Sequence, residues 1–231
     1  MTTDLKHWTP RERPSHEPMI GRFVVLEPLD AARHGDGLYA ATASEEGAER
    51  HRYLFEPPPA DRTAFQPWLD KANVSADPLW FTVIDAKSRK VVGRQSLMRI
   101  DQTFGVIEIG NILWSSLMAR SPAATEALYL FARHAFDDLG YRRFEWKCNN
   151  ANEPSKAAAE RFGFRFEGVF RQHMIVKGMN RDTAWFAMID RDWPLIREAF
   201  EQWLDAANFD ADGRQKRRLA DIRAALAGKA G

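Results

Sequence analysis

The chain has 231 residues, of which 45% are apolar and 28% charged, and its formal net charge is +1 at pH 7. These values are ordinary for a globular protein and exclude a disordered or collagen-like chain. The balanced charge argues against general binding to nucleic acids or anionic membranes, and the single cysteine, Cys148, excludes internal disulfide bonds and a cysteine-rich zinc site.

The first twenty residues contain three prolines among charged residues, which predicts an irregular arm over residues 1–20. This arm lacks the apolar core of a signal peptide or membrane anchor. No apolar run elsewhere approaches the ~18 residues that a membrane span needs. We therefore expect a cytoplasmic protein that does not bind membranes.

The first half of the chain predicts one strand, two helices and then three strands. Residues 22–27 predict the first strand, residues 31–44 a helix, and Asp61 can cap a second helix. Three apolar strands follow, at residues 79–84, 91–100 and 105–114. Because only a few residues connect these three strands, they are expected to form an antiparallel meander.

The second half alternates helices and strands. Ser121 and Pro122 predict the start of a helix that Gly140 ends. Next come a strand at 144–148, a short helix from Asn152 to Gly163, a hairpin of 164–171 with 183–189 across a turn at 177–182, and a last amphipathic helix over 195–204. The strands before and after the helix at Ser121 require a parallel crossover.

These elements predict an α/β (α+β) fold in a single domain, with a mixed, mostly antiparallel central sheet of about seven strands flanked by helices. The predicted organisation is the arm at 1–20, the domain at 21–193, and a C-terminal helix with a basic tail at 194–231. Apolar residues at Leu219, Ile222 and Leu226 could make the tail weakly amphipathic, and a solvated or partner-facing helix is the simplest interpretation.

The helix that begins near Ser121 has the composition of an anion site. A helix start presents free N–H groups and partial positive charge, which favour phosphate, and small side chains let an anion approach. Here the small residues are Ser121, Ala123, Ala124 and Thr125, and Arg120 adds a formal charge. Taken alone, the same residues are also those of an ordinary helix cap.

Two motifs, in this order, resemble the GNAT N-acetyltransferase superfamily, particularly its RimJ/RimL-like ribosomal-protein N-terminal acetyltransferase branch. The segment 124–127 matches the family's Ala-Thr-Glu-Ala, and Asn152, Ser155 and Gly163-Phe164 match its later Asn-x-x-Ser and Gly-Phe patterns. The first strand, at 23–29, and the last hairpin, with Arg181-Asp182, are also similar. The resemblance covers residues 21–193.

The resemblance implies an acyl-CoA site, with acetyl-CoA as co-substrate. No metal is expected, because the spacing of the histidines specifies no metal site. The pantetheine arm would lie between the fourth and fifth strands, paired with backbone groups of Ile112, Leu113 and Trp114. The N–H groups of the loop and helix start would hold the diphosphate, and Asn152 and Ser155 would face the arm and thioester. The chain departs from the family at Pro122, which replaces a loop glycine, at Ala119, which replaces a basic or glutamine residue, and at 157–159, where a frequent tyrosine is missing.

Two residues are candidates for the acid–base chemistry. Glu108, on the fourth strand, could act as the base directly or through water, or it could be an ordinary solvent-facing carboxylate. Ser155 could protonate the leaving thiolate, or its hydroxyl could only cap the helix. Cys148 lies in an apolar strand without an activating partner, so an acyl-cysteine pathway is disfavoured.

The sequence therefore predicts an acyl-CoA-dependent N-acyltransferase that moves acetyl to a primary amine, at a protein or peptide N-terminus or on a small molecule, by direct attack on the thioester. The alternatives are a non-catalytic acyl-CoA-binding or interaction module and an enzyme that uses another donor such as succinyl-CoA. No nucleic-acid partner is expected, and the arm and tail could support a homodimer.

Overall fold

The computed structural model describes residues 4–43, 49–119 and 121–229. In these residues, eight strands form a single sheet in the order β1-β2-β3-β4-β5-β6-β8-β7. The strands are Met19–Ile20 (β1), Val24–Pro28 (β2), Leu79–Asp85 (β3), Val91–Asp101 (β4), Val106–Trp114 (β5), Arg143–Asn149 (β6), Arg165–Val176 (β7) and Met179–Ile189 (β8). All neighbouring strands are antiparallel except β5 and β6, which are parallel. The predicted fold class, with its mixed and mostly antiparallel sheet, is confirmed.

Six α-helices flank the sheet in the described residues. They are Ala31–Thr42 (α1), Arg62–Asn73 (α2), Pro122–Arg133 (α3), Glu153–Phe162 (α4), Trp193–Leu204 (α5) and Leu219–Ala227 (α6). The end of α3 continues into a π-helical segment, His134–Asp138, before Gly140 turns the chain with φ of 66°. None of these helices is long and apolar enough to cross a membrane.

The sheet has one strand more than the predicted number of about seven. The additional strand is β1, which lies at the end of the segment predicted to be an irregular arm. Its two residues pair with the first strand of the domain, Met19 with Leu26 and Ile20 with Val25. A strand of two residues, directly after Pro18, is too short to carry a period-2 pattern, and only its pairing across the sheet defines it.

The last hairpin is longer than predicted, with a tighter turn. Strand β7 continues to Val176 and β8 begins at Met179, so the connection is Lys177-Gly178 rather than residues 177–182. Both turn residues have positive φ, 50° and 75°, as a two-residue hairpin turn requires. Glycine meets this requirement without steric cost.

The predicted helix caps are present because capping is local. Asp61 Oδ1 accepts the N–H of Ala64 at the start of α2, and Ser121 Oγ accepts the N–H of Ala123 at the start of α3. Asn152 caps α4, and Gly163 ends that helix in the left-handed region with φ of 101°.

The two faces of the sheet carry separate apolar clusters. Neighbouring residues of β3 point to opposite faces, so Phe81 joins the main core beneath α3 whereas Trp80 joins a smaller cluster beneath α1 and α2. Glu126 of α3 fastens the chain just before β2, because its carboxylate accepts the N–H groups of Arg22, Phe23 and Val24 at 2.9, 2.5 and 2.8 Å.

The C-terminal helix α6 packs against the domain. Leu219 and Ile222 are buried in the main core. Arg223 donates hydrogen bonds to the carbonyls of Arg161 (2.9 Å) and Glu160 (3.1 Å), which lie in the last turn of α4. One face of the helix predicted to be solvated or partner-facing is thus covered by its own domain.

Candidate active site

The parallel strands β5 and β6 separate partway along their length. Their ladder pairs Val106–Ile109 with Arg143–Trp146 and stops there. Strand β5 nevertheless continues to Trp114 and β6 to Asn149. The facing edges beyond Ile109 are therefore not paired with each other, and a gap opens between two neighbouring strands of one sheet.

A β-bulge in β5 lies at the mouth of this gap. The register with β4 pairs Leu113 with Arg94 and Gly110 with Ser96, so three steps along β5 oppose two along β4. The extra residue falls around Asn111, whose φ is 54°. A bulge bends its strand and redirects backbone groups, which frees them from the ladder at this point.

The gap forms a cavity of about 310 Å³. Six of the residues predicted from the sequence line it: Glu108, Ile112, Leu113, Trp114, Asn152 and Ser155. The side chain of Leu113 is buried in the core, so this residue can offer a ligand chiefly its backbone. The wall opposite β6 comes from Tyr53, Leu54 and Phe55, which precede the prolines at 57–59.

A second cavity, of about 630 Å³, adjoins the first at the start of α3. The two share Arg50, Trp114 and Ala158. Of the predicted anion-binding residues, Ser121, Ala124 and Thr125 line it. Ala123 does not, because it is buried and its N–H donates to the hydroxyl of Ser121. Arg120 lies outside the described residues.

Further cations lie around this second cavity. Arg161 donates to Thr125 Oγ1 at 3.0 Å, and burial lowers the pKa of its guanidinium. Arg214, from the turn between α5 and α6, also lines the cavity and pairs there with Asp212 at 3.2 Å. The helix start and Arg161 together make the cavity suited to an anionic ligand. A larger cavity of about 740 Å³ lies at the other end of β5 and β6, beside Val106 and Arg143, away from the gap.

Glu108 is buried within an ion-pair network. Both its carboxylate oxygens lie 2.8 Å from Arg99 Nη1, and Oε2 also lies 2.8 Å from Lys147 Nζ. Lys147 in turn pairs with Glu145 at 2.6 Å. The alternative that Glu108 is solvent-facing is therefore wrong, because its exposed fraction is 3%. Its role as a base remains a prediction, and its oxygens already accept from two cations.

Ser155 lies where β6 and α4 meet. Its Oγ accepts the indole N–H of Trp146 at 3.0 Å, and its own N–H donates to Asn152 Oδ1 at 3.2 Å. Cys148 is beside it. Burial raises the pKa of the Cys148 thiol, although the hydrogen bond from Ser155 opposes that rise. A buried thiol that stays protonated is a poor nucleophile.

Several residues that line the gap were not among the sequence-based candidates, and three of them carry polar or charged side chains in it: Asn111, Lys147 and Arg181. Asn111 could have been suspected, since an Asn after Gly110 interrupts an apolar strand. Lys147 and Arg181 also line the cavity. Arg181 was noted only as part of the hairpin motif, and no local pattern marks it as a site residue.

The comparisons with known proteins agree with this geometry. The sequence pattern of the family described as the acetyltransferase (GNAT) domain matches residues 24–165, more than half of the chain. The chain therefore belongs to the GNAT family of N-acetyltransferases, and to its RimJ/RimL type. The family typically uses acetyl-CoA with an acceptor amine.

Individual relatives span much or all of the fold. The crystal structure of a GCN5-related N-acetyltransferase from Brucella melitensis superimposes with a TM-score of 0.94 at 58% identity, over 95% of this chain and 100% of that one. A structure from Chromobacterium violaceum, described as one of the "probable acetyltransferases (GNAT family)", gives 0.77 at 38% identity over 84% and 96% of the two chains.

A relative in Bacillus subtilis carries a name that specifies an acceptor. It is called "Putative ribosomal N-acetyltransferase YdaF" and is 31% identical over 101 residues. The match covers 44% of this chain and 55% of that protein, so only about half of the relative's length is represented.

Proposed function

We propose that the protein transfers an acetyl group from acetyl-CoA to a primary amine by direct attack of the amine on the thioester. The observation that carries this proposal is the gap between β5 and β6, which opens after the pairing of Ile109 with Trp146 and continues into the cavity at the start of α3. An extended thiol-ended arm with an anionic nucleotide at its other end has the shape and charge of this double cavity.

The cofactor would run along the free edge of β5. Its pantetheine amides would take the place of a neighbouring strand beside Ile112 and Leu113, as an added strand does at an open sheet edge. Its diphosphate would lie at the start of α3, against Ser121, Ala124 and Thr125. The carbonyl of Trp114 already accepts from Arg50 Nη1 at 2.5 Å, so it is the least available of the predicted backbone partners.

The thioester would then lie at the bulge around Asn111, close to Ser155. A neutral amine attacks the carbonyl carbon, the carbon–sulphur bond breaks, the nitrogen loses a proton and the departing sulphur gains one. Because Ser155 Oγ accepts from Trp146, its hydroxyl hydrogen can turn from the neighbouring Cys148 thiol to the departing sulphur, and we assign the protonation of that sulphur to it. Asn152 supports this serine by holding its backbone N–H.

The acceptor is proposed to be an amine that is substantially neutral near pH 7. An α-amino group, with a pKa of about 8, is neutral in about a tenth of molecules, whereas a lysine amine at about 10.4 is neutral in roughly one in 2,500. Glu108 cannot take a proton without weakening its pairs with Arg99 and Lys147. We therefore propose that Glu108 receives the proton only after attack, through water. This favours an α-amine or a small-molecule amine as acceptor.

The experiment that tests this proposal combines calorimetry with CoA release from acetyl-CoA, across a panel of peptide and small-molecule amines. We expect Ser155→Ala to lower kcat by about a hundredfold with little change in Tm. Asn152→Ala should lower turnover and also cost about 1 kcal/mol of stability, because it removes a helix cap, whereas Asn152→Asp keeps the cap. Thr63→Ala, an exposed helix position that lines neither cavity, is the control.

Each outcome separates two functions. No heat with millimolar coenzyme A would refute the acyl-CoA site altogether. Binding and thermal stabilisation by acetyl-CoA, without turnover of any amine, would favour the non-catalytic module. The residue that motivates this alternative is Pro122, which replaces the loop glycine typical of the family and removes one N–H from the proposed diphosphate site. An unchanged kcat in Ser155→Ala would remove that residue from the chemistry.

A further inference from the structure

Arg181 is a buried cation that forms no ion pair with any described residue. It lies near the start of β8 with 7% of its surface exposed, and it lines the cavity between β5 and β6. No described residue accepts a hydrogen bond from its Nε, and no carboxylate of the described residues lies within ion-pair distance of its guanidinium. Its ring contact is with Phe55 on the opposite wall, 5.0 Å from the guanidinium carbon to the ring centroid.

Among the described residues, no carboxylate is left free to pair with Arg181. The carboxylate that lines the same cavity, Glu108, already accepts from Arg99 and Lys147. Burial lowers the pKa of Arg181, and Arg99 acts in the same direction, whereas Cys148 and Glu108 oppose the change. A guanidinium nevertheless keeps its proton in a protein, so the wall of the cavity holds a largely buried positive charge that no carboxylate of the described residues pairs with.

The cost of this arrangement calls for a ligand. Burial of an unpaired charge is strongly unfavourable, and proteins seldom retain it unless something binds there. A guanidinium presents a rigid fork of N–H groups that fits a carboxylate with two parallel hydrogen bonds. Its position beside Cys148, which neighbours Ser155, puts it within the part of the cavity where the thioester and the amine would meet.

We propose that Arg181 binds a carboxylate carried by one of the two substrates. This inference rests on the proposed function and names a substrate class for it. The carboxylate could belong to the acceptor, as in an amino acid or a peptide with an acidic first residue, or to the acyl chain of the donor, as in a succinyl group. Both sources offer the same chemistry to the guanidinium, and kinetics separate them.

The test uses matched pairs that differ only in charge. The acceptor arm compares glutamate with glutamine, and a peptide beginning with aspartate with one beginning with asparagine, all with acetyl-CoA. The donor arm compares succinyl-CoA with acetyl-CoA on one neutral amine. We expect the wild type to prefer the charged member in one arm, and Arg181→Gln to reduce that preference by roughly tenfold to a hundredfold through KM. The neutral member should change little.

The controls separate this inference from the proposed function. Arg171→Gln makes the same charge change at an exposed position on β7 and should keep the preference. Arg181→Lys should restore part of it, because it keeps the charge without the fork. Calorimetry of the coenzyme A complex with glutamate and with glutamine, and of the free protein with succinyl-CoA and with acetyl-CoA, gives a readout that needs no turnover.

The outcomes are distinct. If the wild type shows no binding of coenzyme A, the proposed function is refuted. Retained coenzyme A binding, with no carboxylate preference in either arm or in calorimetry, would overturn the role of Arg181 and leave the acetyltransferase assignment standing. An equal loss for charged and neutral substrates in Arg181→Gln would likewise overturn it, because it would indicate a structural role.

Discussion

Two arginines of the sheet are buried in different ways. Arg94 of β4 has 1% of its side chain exposed, pairs with Glu56, and lies over the rings of Trp68 and Trp80 at 4.1 and 5.0 Å. Arg181 of β8 is almost as buried, yet no carboxylate of the described residues pairs with it. The first belongs to the closed side of the sheet, beneath α1 and α2, and the second to the open gap between β5 and β6.

The difference between the two arginines indicates which part of the fold is available to bind a ligand. On the closed side, the buried cation Arg94 has a carboxylate partner and contacts two aromatic rings. In the gap, the edges of β5 and β6 beyond Ile109 are not paired with each other, and no carboxylate of the described residues pairs with Arg181. A buried charge without a counter-ion is costly, so its place in an open cavity is itself a functional signal.

The largest expected effect comes from breaking the pair on the closed side. Glu56→Ala leaves Arg94 as an uncompensated buried charge, and we expect a loss of about 3–5 kcal/mol in the free energy of unfolding. Urea unfolding measures this loss. Arg94→Met combined with Glu56→Leu removes both charges and should recover most of it, which isolates the charge from the packing.

Removal of the unpaired arginine should have a smaller effect of opposite sign. Arg181→Met takes away a charge that has no partner, so we expect the unliganded protein to gain about 1 kcal/mol of stability in urea unfolding. A clear loss of stability would indicate that Arg181 is a structural residue and would abolish the contrast with Arg94. The two variants are best measured in one buffer without ligand.

The smallest expected effect is a dependence on pH on the closed side. His34 is buried, its Nδ1 accepts from the N–H of Asp30 at 3.1 Å and lies 3.1 Å from Thr82 Oγ1, and its Nε2 lies 3.3 Å from Glu27. Burial lowers the pKa of His34, so the folded state binds fewer protons than the unfolded state below pH ~6.5, and stability should fall as the pH drops from there.

A second decline should follow at lower pH. Burial alone would raise the pKa of Glu27, but Arg33 and His34 outweigh it and lower that pKa, so its contribution is lost as the pH falls below ~4.5. Thermal unfolding from pH 8 down to about 3 records both steps. His34→Gln should remove the upper step and keep the lower one; persistence of the upper step would exclude His34 as its source.

The features that were predictable from the sequence are those that neighbouring residues determine. The caps at Asp61, Ser121 and Asn152 and the stop at Gly163 depend on hydrogen bonds within a few residues, and each is present. Local chemistry alone did not identify the fold. The two family motifs did, because one lies at the start of α3 and the other at the start of α4, in the order typical of the family.

The features that escaped prediction depend on partners distant in the chain. The network of Glu108 joins β4, β5 and β6, so its burial cannot be read from the alternation within one strand. Nothing in the local sequence distinguishes Arg181 from another arginine in a strand. Its burial without a described carboxylate partner is visible only in the folded sheet. Short strand β1 likewise exists only by pairing with β2.

The C-terminal segment matters for how the protein is handled in the laboratory. The family pattern ends at residue 165, before β8, α5 and the turn that contributes Arg214 to the second cavity. Trimming the gene to those limits would delete the strand that carries Arg181 and unpair β6 along one side. Trimming after α5 instead would expose the apolar surface on which Leu219 and Ile222 pack, and it would remove the hydrogen bonds of Arg223 to two carbonyls at the end of α4. Expression of this enzyme should therefore keep residues up to at least 227.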